Sequence, residues 1–103
     1  MDALKLIMEP HRREILRLVW DKEVGAGDVA DSFDVSFGAV SQHLATLRNA
    51  GFVTVRKDGN SRLYKADKEA LGPLAAVLMS IWATSLDSLV DVVESDKRQQ
   101  EKR

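Results

Sequence analysis

The chain has no cysteine among its 103 residues. That absence removes disulfides, thiolate nucleophiles, cysteine-based zinc sites and thiol redox sensing together. Histidine is nearly as scarce, with only His11 and His43. Nothing in the sequence pairs either imidazole with another soft ligand, so no metal is expected. No apolar run approaches the ~18 residues of a membrane span, and no basic segment leads into an apolar stretch with a small-residue cleavage site. The expected location is therefore the cytoplasm, away from any membrane. A glycine-rich phosphate loop and a nucleophile elbow are also missing. Ser41 and His43 stand two apart on a helix and diverge, so no catalytic residues, no cofactor and no enzyme are expected.

What is present is an ordinary globular composition, 45% hydrophobic, enough for one small domain that would gain from pairing with a second copy. The net charge of −1 hides an uneven distribution. Residues 36–65 carry Arg48, Arg56, Lys57, Arg62 and Lys65 against Asp58 alone, between two acidic stretches. To a polyanion, this basic island matters more than the total.

Residues 2–8 read as a short helix with Leu4, Ile7 and Met8 on one side, closed by Glu9-Pro10. Pro10 suits the first position of a second helix, in which Ile15, Leu18 and Val19 form the core stripe and Leu16 and Trp20 widen it. "DKEVGAGD" reads as a connection. Asp28 to Phe33 is a short segment able to dock Val29, Ala30 and Phe33. A longer helix follows from Phe37 to Asn49, with Ser36 as N-cap and Gly51 past its end. Two short helices joined by a tight turn make a helix-turn-helix outline. The period then changes to two over "FVTVRKDGNSRLYKA", a β-hairpin turning at Asp58-Gly59-Asn60. From Lys68 to about Glu94 a helical pattern returns, with Gly72-Pro73 as a start or kink. Its apolar residues are too many for one stripe, so this helix wants partners on more than one side. The remainder, 96–103, is a charged tail, and 1–95 is the folded domain.

On a helical wheel, Val40, Leu44 and Leu47 make the buried side of 37–50. Gly38, Gln42, Ala45 and Asn49 lie opposite, with Ala39 and Thr46 at the edge and Ser41 on the flank. A merely solvated face usually carries Glu, Lys and Arg; this one has no charge before Arg48. Small residues admit close approach, glutamine can read an adenine edge, and serine reaches bases or phosphates. The N-terminal part of the second helix of a helix-turn-helix is the part that meets bases. His43 borders the buried stripe, which points to packing or hydrogen bonding rather than base contact.

The string "VSFGAVSQHLATLRNAGFVTVRKDGNSRLYKAD" resembles the recognition helix and wing of the ArsR/SmtB family of bacterial winged-helix repressors. Its signature is V-S-x-x-x-V-S-x-H-L-x-x-L-x-x-A-G, then basic strands around a turn, then a tyrosine. "EPHRREILRLVW" and "GAGDVADSFDVS" are similar to that family's second and third helices. The resemblance implies a mainly α fold with a small β-hairpin, a winged helix-turn-helix in the order α-α-α-α-β-β-α, paired as a homodimer through the first and last helices. It implies a palindromic double-stranded DNA operator as partner. The DNA-binding set is then Ser36, Phe37, Gly38, Ala39, Ser41, Gln42, Thr46 and Arg48 on the helix. Arg56, Lys57, Asn60, Arg62 and Tyr64 complete it in the wing. The dimer surface is Leu4, Ile7, Met8, Leu74, Leu78, Ile81, Trp82 and Leu89.

The sequence departs from the family's metal sensors. Its third-helix region has no thiol and its last helix no histidine. Asp87, Asp91 and Glu94 share a side, which reads as a solvated acidic face rather than a hard-cation site. Two other readings stay open. One is a winged-helix protein-interaction or dimerisation module that does not read DNA. The other is a repressor with an organic-ligand pocket near Trp20 and Trp82.

Overall fold

The computed structural model describes residues 2–84. The chain divides into two compact units, residues 1–72 and 73–103. In the first, helix α1 (Ala3–Met8) starts where the Asp2 carboxylate accepts a hydrogen bond from the Leu4 amide at 3.2 Å. It stops because Glu9 precedes a proline and takes extended backbone, φ −65° and ψ 126°. Helix α2 (Pro10–Leu18) then opens with Pro10 in its first turn. The Glu9 carboxylate caps it, accepting from the His11 amide at 3.2 Å and the Arg12 amide at 2.9 Å. Ile15, Leu16 and Val19 are fully buried. Leu18, assigned to the core stripe from the sequence, is half-buried, and Leu16 holds the deeper position.

The expected connection after α2 contains a strand. β1 (Val24–Gly25) pairs with β3, Val24 opposite Tyr64 and Gly25 opposite Leu63. Two residues carry no period of their own, so only the partner strand makes them β. Helix α3 (Ala26–Asp31) starts two residues earlier than the sequence suggests and buries Val29 and Ala30.

Helix α4 (Phe37–Asn49) has the expected bounds and the expected cap, the Ser36 hydroxyl accepting from the Ala39 amide at 3.1 Å. Its end is a Schellman motif. The Phe52 amide donates to the Leu47 carbonyl at 3.0 Å and the Gly51 amide to the Arg48 carbonyl at 2.9 Å, with Gly51 at φ 82°. This closure points the chain straight into β2 (Val53–Asp58), which pairs antiparallel with β3 (Ser61–Ala66). The loop is Gly59-Asn60, with positive φ at the glycine alone, the sign pattern of a type II′ turn. The sheet is therefore three-stranded, in the order β1-β3-β2. The hairpin is fastened by the Ala66 amide donating to the Val19 carbonyl and the Asp67 amide to the Phe52 carbonyl, each at 2.9 Å.

Helix α5 (Lys68–Leu71) is stopped by Gly72 at φ 58° and ψ −129°, a conformation open essentially to glycine alone. The long helix expected from Lys68 is thus two helices, and α6 (Pro73–Thr84) is the described part of the second unit. Along α6, Leu78 is fully buried while Val77 and Met79 are exposed. Leu89, the Asp87, Asp91 and Glu94 trio, and the 95/96 boundary lie outside the described residues. Among the described residues no helix is long and apolar enough to cross a membrane.

Candidate nucleic-acid interface

Helix α4 divides its residues as its period requires. Val40, Leu44 and Leu47 are buried at 1%, 2% and 0%, anchoring the helix to its own unit. Gly38, Ser41, Gln42, Ala45, Arg48 and Asn49 are exposed on the other side. Ala39 and Thr46 are half-buried, and the Thr46 hydroxyl donates to the Gln42 carbonyl at 3.0 Å. The Ser36 oxygen, though occupied as a cap, keeps its own hydrogen to donate to an acceptor such as a phosphate. Phe37 stands 58% exposed at the head of the helix.

The fold gathers part of the sequence-assigned set around one opening. Phe37, Asn60 and Arg62 line a cleft of about 460 Å³ together with Ser61 and the start of α3, Gly25 to Asp28. The helix head and the wing tip therefore share a concave surface, which nothing in the linear order of residues indicates.

Alternation along the hairpin sorts the wing cations onto two faces. Lys57 sits directly opposite Arg62, on the face that carries Val53, Val55 and Tyr64 inward. Two cations facing each other across a strand pair repel, and among the described residues neither has an ion-pair partner. A polyanion would relieve that repulsion.

Arg56 points the other way. Its Nε and Nη2 donate to the two carboxylate oxygens of Glu23, each at 2.9 Å. The hydrogen bonds from Arg56 hold the Glu23 carboxyl below the usual carboxylate range, and the same bonds raise the Arg56 guanidinium. Arg56, expected to contact DNA on equal terms with Lys57 and Arg62, is thus already engaged by an acid from the end of the α2–β1 connection. Period-two alternation was the signal that could have separated it from Lys57; Glu23 as its partner carried no signal.

Tyr64 is a correction. Assigned to the wing's DNA surface from the sequence, it is 7% exposed and paired with both Val24 and Val55 in the middle of the sheet. Alternation along β3 sets Tyr64 on the same face as the buried Ala66, with the exposed Lys65 on the other. On the dimer side, Ile7 is fully buried in the first unit and has no surface to give a partner, and Leu78 on α6 is buried as well. Leu4 and Met8 are 46% and 40% exposed, and Leu74, Ile81 and Trp82 are half-buried.

The expectation that nothing pairs the two histidines fails. The rings of His11 and His43 stack with centroids 5.4 Å apart and planes 9° apart, and Phe33 lies 5.7 Å from His11. Glu9 Oε1 accepts from His11 Nδ1 at 3.0 Å, and Glu9 Oε2 lies 3.7 Å from His43 Nδ1. Arg12 reaches the same place, its Nε donating to the Leu6 carbonyl at 2.7 Å and its Nη1 standing 3.4 Å from His43 Nδ1. Burial works against the Glu9 charge. The amide of Arg12, the ring and amide of His11 and the nearby His43 outweigh it and hold the carboxyl down at about 2.

Comparison with known proteins identifies the frame in which these residues sit. The family model for bacterial regulatory proteins of the arsR family matches residues 9–55. An uncharacterized HTH-type transcriptional regulator of Mycobacterium tuberculosis, Rv0081, is 34% identical over 95 residues, 90% of this chain and 82% of the relative. The arsenical resistance operon repressor of Staphylococcus xylosus is 37% identical over 68 residues, 66% of this chain and 65% of that protein. A crystal structure of a possible transcriptional regulator for arsenical resistance superposes with a TM-score of 0.68 at 41% identity, covering 88% of this chain and 95% of the other. The chain belongs to the ArsR family of bacterial regulatory proteins and is a winged-helix, DNA-binding transcriptional regulator rather than an enzyme.

Proposed function

We propose that the chain is a repressor that binds a palindromic operator as a homodimer in the cytoplasm, with α4 in the major groove and the β2–β3 hairpin on the flanking backbone. The observation that carries this reading is the two-sidedness of α4: a buried Val40, Leu44, Leu47 stripe behind an exposed Gly38, Ser41, Gln42 face. In this reading Gln42 and Ser41 meet base edges, Gly38 admits close approach, and Lys57, Arg62 and Asn60 touch phosphate or the minor groove. Ser36, Phe37, Ala39, Thr46 and Arg48 border the same surface.

Support for pairing comes from large apolar side chains left exposed on both proposed dimer helices, Leu4 and Met8 on α1 and Val77 and Met79 on α6. Two-fold pairing would set the recognition helices about 34 Å apart, one turn of duplex. A titration of the chain against DNA from upstream of its own reading frame and against a scrambled duplex, over a range of salt, tests the proposal. Sequence-selective, salt-dependent binding by a dimer is expected. Binding indifferent to both would point to a winged helix kept as a protein-interaction module.

A further inference from the structure

The Glu9, His11 and His43 cluster has no part in the operator reading. We propose that these three residues form a binding site for a borderline divalent cation of the Zn²⁺ class, fastening the start of α2 to the middle of α4. One donor atom from each residue lies within 4.8 Å of the donors of the other two, the sole grouping of this kind among the described residues. Ligands about 2.0–2.2 Å from a tetrahedral ion stand roughly 3.3–3.6 Å from one another. Glu9 Oε1 stands 3.0 Å from His11 Nδ1 and Glu9 Oε2 3.7 Å from His43 Nδ1. The carboxylate thus reaches the two imidazoles through different oxygens and needs only a small turn to present one of them to a shared ion.

The donor set has the right chemistry. Two imidazole nitrogens and one carboxylate select zinc-class ions over Mg²⁺ or Ca²⁺ and leave a fourth position for water. All three side chains are half-buried, so an ion can enter from solvent. The ionised Glu9 has no hydrogen to give, so His11 donates from Nδ1, and the ion takes that lone pair once the proton passes to Nε2 or to solvent. Glu9 can ligate while it caps α2, because a carboxylate offers about four acceptor directions. Two things must move. Arg12, whose Nη1 occupies the space 3.4 Å from His43 Nδ1, must swing aside. One of the stacked imidazoles must rotate out of its 9° alignment so that both in-plane lone pairs meet at one ion. The Nε anchor of Arg12 on the Leu6 carbonyl makes the Arg12 contact a competitor rather than a ligand.

The site is tested on the full chain without DNA, so its failure and the failure of the operator reading are separate results. Co²⁺ is the probe, read by the visible absorption of four-coordinate cobalt, with Zn²⁺ and Mg²⁺ as competitors. One equivalent should develop the band, Zn²⁺ should abolish it, and Mg²⁺ in large excess should leave it intact. His11→Gln and His43→Gln should each weaken binding by at least about tenfold. Arg12→Gln, which keeps all three ligands, should tighten it, and serves where a histidine variant fails to fold. No band at stoichiometric Co²⁺, a band unchanged in a folded histidine variant, displacement by Mg²⁺, or no gain in Arg12→Gln would each overturn the site.

Discussion

Arg56 and Glu23, thirty-three residues apart in sequence, form a two-point ion pair with both N···O distances at 2.9 Å. The pair ties the wing to the connection ahead of β1 and occupies the guanidinium in the geometry a phosphate would use. Exposed as it is, it adds little to stability. Its consequence lies in binding. Arg56→Ala should change the salt slope of DNA affinity by less than Lys57→Ala or Arg62→Ala, each of which should lower it by about one. Glu23→Gln, releasing Arg56, should tighten binding to any duplex and steepen the slope by about one. Equal slopes for Arg56→Ala and Lys57→Ala would mean that the pair opens on DNA.

Gly38 allows stability and function to be pulled apart. It lies inside α4, and a Cβ there would meet nothing closer than the Ser36 Oγ at 3.9 Å. Gly38→Ala should therefore stabilise the fold, by up to about 1 kcal/mol, while weakening operator binding if the glycine exists for close approach. Thermal unfolding and operator titration of the same preparation give the two signs. Operator affinity unchanged or improved would remove Gly38 from the contact surface.

Gln42 is exposed and supports no packing. Gln42→Ala should leave the unfolding midpoint unchanged, cost about 1–3 kcal/mol on the operator and nothing on scrambled DNA. Equal losses on both sequences would assign Gln42 to the backbone instead.

Tyr64 should behave as core. Truncation to Ala should destabilise by about 3 kcal/mol or more in urea unfolding, whereas Tyr64→Phe, which keeps the ring, should leave the salt slope of DNA binding intact. A slope lowered by Tyr64→Phe would return the hydroxyl to the interface.

Much of this was legible in the residues because the forces involved are local. The bounds of α4 follow from Ser36 at its cap and Gly51 at its end, contacts within a turn or two of chain. The helical spacing of Val40, Leu44 and Leu47 marks the side to be buried whatever covers it. The hairpin's alternation and its glycine turn are local in the same way, and so is the Gly72-Pro73 break, though the sequence left open whether it starts or kinks a helix. Tertiary structure decided whatever depends on residues distant along the chain. β1 exists only because β3 pairs with it, and that pairing makes β3 central and buries Tyr64. Glu23 meets Arg56 because β1 lies in the same sheet as the wing. His11 meets His43 because α2 and α4 pack together, bringing two isolated imidazoles to one carboxylate. Hydrogen-bond caps and periodicity act between neighbours, so the sequence by itself determined the helices, the hairpin and the two faces of α4. Ion pairs, ring stacking and burial act between surfaces that only folding brings into contact, so the tertiary structure alone decided which charges were already engaged and which residues met.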